Sequence, residues 1–527
     1  MGHGLSLSLL LLTGAAAAPV LAAQTRDWSP EDRAVIGDCS HILAVAASQD
    51  QVFVATASAL LVWEPRSRSW RGPWQPRNAA ALGEVIGALA DPLDGSVWLV
   101  RRGGWLRFDP AIQLWDQGTV PGAVLDAALD ERAPVAGLFL RTAGGWYTAQ
   151  RGGIALPGAA PTRPVRGATT ADAVRDNPAI QANSASLLSL TRLRNVRYTA
   201  AARAQGFTGR GWFLGTSGAG VLFFPDGAAF PEPLLFGLPG DAVDAVFAGT
   251  GGVWAVTERT PIADPGVSYV ATNLGQFQWL MGSGSTGLPF ARARRIVGRE
   301  SDLWVATDGG VIRLTPRTEE VSRYDEGRGL PDPRVLDLAQ RRGRIVAATV
   351  HGLADYTDST GFRPLAPAFT GLVQAVAVGG DTVWVGTSQG LLASLPGEAD
   401  LLEPDALRET PAMRGAVLDL VWRADTLVAL LDDRLMWRDP RTGRFTLGPL
   451  LGSAPGRLHT VVNGRSGLYV AGDRGVGAAG LATSLRRVFT TPGDLPGQVT
   501  DLAVDDDYLW VATLRGLVRF RLDLFGS

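Results

Sequence analysis

Residues 334–368 read RVLDLAQRRGRIVAATVHGLADYTDSTGFRPLAPA. RVLDLAQ forms a first strand, a turn follows at 341–343, and RIVAATV forms a second strand. His351-Gly352 turns the chain into LADYT, and Gly361-Phe362 leads to a last, outer strand. The inner strands are almost wholly apolar, the pattern of strands covered on both faces, whereas the outer ones alternate and carry Arg and Asp. Gly352 sits where a hairpin calls for positive φ. One such four-stranded sheet cannot bury both of its faces alone, so copies must stack against it.

Copies are present along the chain. A bulky residue recurs at the centre of short β-branched runs, at Phe53, Trp98, Phe139, Phe213, Trp254, Trp304, Val346, Trp384, Val428, Tyr469 and Trp510. Successive anchors lie 38–50 residues apart, save one gap of 74. Eight anchors carry Thr three residues later (56, 142, 216, 257, 307, 349, 387, 513), and seven carry Gly six residues later (104, 145, 310, 352, 390, 475, 516). Four strands per roughly 42 residues is the period of a β-propeller blade. The predicted fold is therefore all-β, about 11–12 four-stranded blades in two propellers, with one partly helical insertion. The expected division is 24–250 for the first propeller region, containing an insertion at 159–205, and 251–527 for the second. The last repeat lacks a fourth strand, which residues 26–37 can supply by strand exchange between the termini.

LWVATDGGVIRLTPRTEEVSRYDEGRGLPDPRV at 303–335 resembles the two-component regulator propeller repeat, of the form LWVGT-x-x-GL-x-R-x-D-x-x-T followed by a segment ending in GLP. VWVGTSQGLL at 383–392 and LWVATLRGLVRF at 509–520 match its first half, and GLP recurs at 237–239. The resemblance covers most of 42–520, most closely from 290 onward. It implies an extracytoplasmic sensing or binding module. No kinase or membrane portion follows Phe520, so no signalling activity of its own is expected. The repeat implies no catalytic residues.

Composition narrows the function classes. The chain has 527 residues, 46% hydrophobic and 19% charged, with 65 Gly, 33 Pro and 16 Trp. That is enough apolar material for a large core and too many chain-turners for a helical bundle. The net charge is −2, which excludes a strongly basic nucleic-acid binder. All 49 basic residues are Arg. Schiff-base and phosphate-loop chemistry, which need Lys, are therefore absent.

Residues 5–21, LSLSLLLLTGAAAAPVL, precede small residues at Ala22 and Ala23. They read as a signal peptide over 1–23, placing the mature chain in the periplasm or outside the cell. Cys39 is the one cysteine, expected to be buried and inert. No compact ligand set for a metal appears, and no cofactor is expected. Asp505-Asp506-Asp507 lacks the alternation of a calcium loop and reads as an acidic turn.

The 74-residue gap holds the irregular stretch. Residues 159–169 read as loop, and 170–191 as a helical run broken at Pro178. Between 159 and 211 stand eight Arg and two Asp, a local charge of +6. The plain reading is a helical excursion packed between blades. The sharper one is a docking element for another envelope protein, an acidic ligand or an anionic membrane surface, with Arg163, Arg166, Arg192, Arg194 and Arg197 as binding residues. The function expected is an exported, non-enzymatic scaffold or sensor-like module. The alternative is a propeller lyase or hydrolase acting on a small polar or carbohydrate substrate, for which His351, His459, Asp308 and Arg515 would have to converge at a central channel.

Overall fold

The computed structural model describes residues 32–526, except 77–81, 133–136, 150–152, 154, 184–196, 258–265, 282–291, 300, 342, 395–399, 409–414 and 466. The expected signal peptide, Arg192 and Arg194 lie outside the described residues. Among the described residues, eleven antiparallel sheets account for nearly all of the secondary structure, which is an all-β propeller architecture with a few short helices. Numbered along the chain, the blades span 44–74, 85–119, 126–158, 198–234, 243–281, 293–324, 335–365, 375–394, 419–450, 458–490 and 499–521. Blade 7 is the opening stretch above, with strands at Val335–Arg341, Arg344–Thr349, Gly352–Thr357 and Gly361–Leu365.

The repeat motif has a physical basis in the hairpins of blades 6, 7, 8 and 11. Thr307, at the end of a second strand, donates its hydroxyl to the Gly310 carbonyl at 2.8 Å and accepts the Gly309 N–H at 3.1 Å. The same closure recurs at Thr349–Gly352, Thr387–Gly390 and Thr513–Gly516. Gly310 has φ +121°, and a Cβ there would run into the Tyr324 carbonyl of the outer strand. The aromatic anchors are core: Phe53, Trp98, Trp304 and Trp510 have no exposed surface. Opposite three of the Trp anchors, the third strand places an Arg in register, pairing Trp98 with Arg107, Trp304 with Arg313 and Trp510 with Arg519.

Blades 5–11 close a ring of seven. Each first strand packs on the next, and that of blade 11 (Val499–Val504) packs on that of blade 5 (Val243–Gly249). The outer strand of blade 11 is Arg33–Ile36, paired antiparallel with Gly516–Arg521. The N-terminal strand thus closes the later ring. Blades 1–4 are inserted between that strand and blade 5. Entry and exit run side by side, with a parallel bridge from Asp38 to Leu238 and the Cys39 N–H donating to the Leu238 carbonyl at 3.0 Å. Cys39 is buried at this crossing, and burial pushes its thiol well above the ordinary range. The 250/251 division falls in blade 5, between its first strand and Gly252–Thr257.

In the smaller array, the first strand of blade 1 (Ala44–Ala47) packs against those of blade 2 (Val85–Ala90) and blade 4 (Tyr198–Arg203). Blades 2 and 3 share a core of Leu89, Trp98, Leu129 and Leu138. The insertion stands between blades 3 and 4. Residues 198–203, inside the range expected for the insertion, form the inner strand of blade 4. The helix Thr170–Asp176 and the following helical residues 178–183 bury Ala173 and Ile180 against Ala201, Trp212 and Phe224. The helical run breaks at Asn177, one residue before Pro178.

Candidate functional site

Two axial sites result, one in each set of blades. In the four-blade array the first strands converge on a cavity of about 420 Å³. Its walls are Leu43–Val45, Ile86–Leu89, Val124–Ala127 and Thr199–Ala201 from the four blades, and Arg166–Thr170 from the insertion. Residues 162–170 therefore act as a strap inside the array. Asp130 anchors its start, accepting the N–H groups of Thr162 at 2.6 Å and Arg163 at 3.1 Å. Pro164 and Val165 then pair with Asp130 and Leu129 on the axial edge of blade 3. Arg166 turns back and holds Asp126 by Nε to Oδ1 at 3.1 Å and Nη2 to Oδ2 at 2.9 Å. This hydrogen-bonded guanidinium keeps the Asp126 carboxyl below the usual carboxylate range. Thr169 caps the helix, with Asp172 closing a capping box. Hydrogen bonds from Thr169 hold Asp172 down at about 2. Ile86 and Leu125, both at least half exposed, stand in the cavity wall.

In the seven-blade ring the axis is occupied by an ion cluster. Arg295 on blade 6 donates from Nε to Asp337 at 2.8 Å, from Nη2 to Asp419 at 2.8 Å and from Nη1 to Asp501 at 3.2 Å. These carboxylates come from blades 7, 9 and 11. The other oxygen of each accepts a main-chain N–H of the following blade: Val376 at 2.8 Å, Val461 at 2.8 Å and Val246 at 3.0 Å. Each Asp therefore fastens one blade junction while Arg295 gathers all three. One guanidinium faces three buried carboxylates, so burial raises the Asp337 and Asp501 carboxyls, the latter to about 6. The sequence reading missed these residues. A signal was present: V-x-D stands at 335–337, 417–419 and 499–501, spaced by 82 residues, which is two blades.

The sequence-predicted residues separate. Arg166 lines the axial cavity. Arg163 is half exposed, 3.7 Å from Glu131. Arg197 is exposed, its N–H donating to Ser217 Oγ at 2.9 Å. The +6 charge of the segment is thus partly met by acids from neighbouring blades, which a window on the sequence does not contain. Among the described residues, no hydrogen bond or ion pair joins any two of His351, His459, Asp308 and Arg515. His351 Nδ1 lies 2.6 Å from Asp332 Oδ2, and Asp308 is held by Arg294. His459 is nearly buried, which lowers its pKa, and the Arg515 N–H bonds Thr513. Asp505 accepts the N–H groups of Asp507 and Tyr508 and the indole of Trp510, the acidic turn expected from the sequence.

No family model matches the chain, and no curated protein matches it in sequence. Its fold is similar to the extracellular domain of the putative one component system BT4673 from B. thetaiotaomicron, with TM-score 0.43 and 16% identity over 92% of this chain. The chain spans 65% of that structure's length. PorZ, a bacterial surface component of the type-IX secretion system of Porphyromonas gingivalis, aligns with TM-score 0.42 and 13% identity, over 95% of this chain and 74% of PorZ. Virginiamycin B lyase from Staphylococcus aureus aligns with TM-score 0.42 and 15% identity, over 54% of this chain and 95% of the lyase. The likeness is one of propeller architecture. Among the described residues, no helix is long and apolar enough to cross a membrane.

Proposed function

We propose that this chain is an exported, non-enzymatic β-propeller of the cell envelope that serves as a binding scaffold, receiving a partner protein at the strap face of the four-blade array. The observation that carries this reading is the axial cavity whose wall the insertion completes. A repeat array accepts extra chain at its loops, and here that chain turns inward and furnishes a lined site. A protein partner is favoured over an anionic membrane surface because Arg163 and Arg166 are already faced by Glu131 and Asp126, which weakens any long-range positive field.

The test is a pull-down from envelope extract with the wild-type chain and an Arg163→Glu, Arg166→Glu, Arg197→Glu triple variant. The triple variant should melt cooperatively like wild type and lose most of the recovered partner, and rising salt should reproduce part of that loss. Equal recovery by both proteins would remove the strap face as the binding surface. Binding of wild type to anionic vesicles, lost in the variant, would instead assign the face to a membrane. Export is tested by sequencing the N-terminus of the protein recovered from the soluble envelope fraction, expected to begin near residue 23 or 24.

A further inference from the structure

Small residues make up much of the wall of the axial cavity. Eight of its twenty lining residues are Ala or Gly, including Ala44, Ala88, Ala127 and Ala200, one from the first strand of each blade. A first strand in a blade pairs with its second strand along one edge, and its other edge faces the axis. In blade 3 that axial edge is paired, by Pro164–Val165 of the strap. Among the described residues no strand pairs with the axial edges of blades 1, 2 and 4. The strap approaches blade 2 at Gly167, where a Cβ would lie 3.2 Å from the Ala88 carbonyl. The molecule thus shows, within itself, an extended segment seated on an axial edge, with further edges open beside it.

The cavity is small. At about 420 Å³ it has room for a few residues of chain and none for a folded domain. Its one cationic wall residue, Arg166, commits Nε and Nη2 to Asp126, while Nη1 has no hydrogen bond to a described residue. Leu43, Val45, Ile86 and Leu125 supply apolar wall around it.

We infer that this cavity takes an extended, acidic segment of the partner protein, whose main chain pairs with one of the axial edges left open in blades 1 and 4 as the strap pairs with blade 3, and whose carboxylate meets Nη1 of Arg166. Main-chain pairing supplies affinity in such strand addition, and alternate side chains supply specificity. The inference rests on the strap face being the binding surface.

The experiment pans random linear dodecapeptides against the whole chain and measures the enriched peptides on three proteins: wild type, Ala200→Trp, which puts a bulky side chain on the wall strand of blade 4, and Arg166→Glu. The expected peptides share an Asp or Glu. They bind Ala200→Trp at least tenfold more weakly, and Arg166→Glu reverses the preference toward the same peptides with Arg in place of the acid. Hydrogen exchange on wild type, which needs no variant to fold, should show peptide-dependent protection at 44–47 and 198–203. Absence of enrichment, equal binding to Ala200→Trp, or protection confined to the outer strands would each overturn the inference. If the pull-down loses its partner in the triple Arg variant while no peptide binds, the binding face stands and the extended segment falls. If both fail, the face itself is wrong.

Discussion

Trp304 is fully buried between blades 6 and 7, with Tyr324, Tyr356 and Phe362 edge-on or stacked around it and the Arg313 guanidinium 5.5 Å from its ring centre. Trp304→Ala empties that site and should cost about 3–5 kcal/mol. Reversible denaturant unfolding checks this, and a loss below about 1 kcal/mol would be incompatible with a buried anchor. This residue was legible in the sequence because its neighbours repeat its motif. Arg295 was not: it meets carboxylates 42, 124 and 206 residues away, and each of them looks like an ordinary strand Asp. Its cluster has a pH signature. The folded Asp501 carboxyl, at about 6, lies above the unfolded value, so the folded state holds its proton more tightly. That contribution is fully present below about pH 4 and is lost as pH rises through about 6, a swing on the order of 3 kcal/mol for two pKa units. Asp501→Asn should therefore gain stability relative to wild type as pH rises from 4.5 to 7.5. A difference between the two that stays flat across that range would show that Asp501 does not titrate there.

At the scale of elements, the closing strand Arg33–Ile36 is the shortest route to opening the larger ring. Ala34, Val35 and Ile36 are all buried in cores of blades 5, 10 and 11, although the strand has only four residues. Ile36→Asp places an unpaired carboxylate in that core and should release the strand from Gly516–Arg521. The expected readout is faster hydrogen exchange in Gly516–Arg521 with little change in blades 2 and 3. Uniform protection loss, or none, would contradict closure by strand exchange. The strap is the element where sequence reading divided. A helical excursion packed between blades was the plain reading of the sequence, but not which residues it buries, because Ala173 and Ile180 are unremarkable until Trp212 and Phe224 are placed beneath them.

The described residues form one ring of seven blades interrupted by an array of four. That topology makes the insertion a structural part of the smaller array as well as a wall of its cavity. Replacing 159–195 by a short Gly-Ser linker would expose the blade 4 core of Leu214, Leu222 and Phe224. The array should then lose protection in blade 4 while the ring of seven keeps its own. Retention of wild-type exchange in blade 4 would mean that the helix contributes no burial there.

The repeat, the four-stranded plan of most blades, the Thr and Gly of several hairpins, and the missing outer strand of the last blade were determined by the sequence, because each is written within some 42 residues and repeated until it stands above chance; the blade at 375–394 departs from it, with three strands among the described residues. The tertiary structure alone decided which blades share a ring, that the array of four is nested inside the chain of the ring of seven, and that Arg295 closes one axis while the strap lines the other. The physical reason is distance. Local pattern specifies which face of a strand is buried, whereas the partners that meet on an axis are brought together by ring closure across as many as two hundred residues; the two-blade spacing of V-x-D repeats the three carboxylates, but nothing in it points to Arg295 as the residue that gathers them.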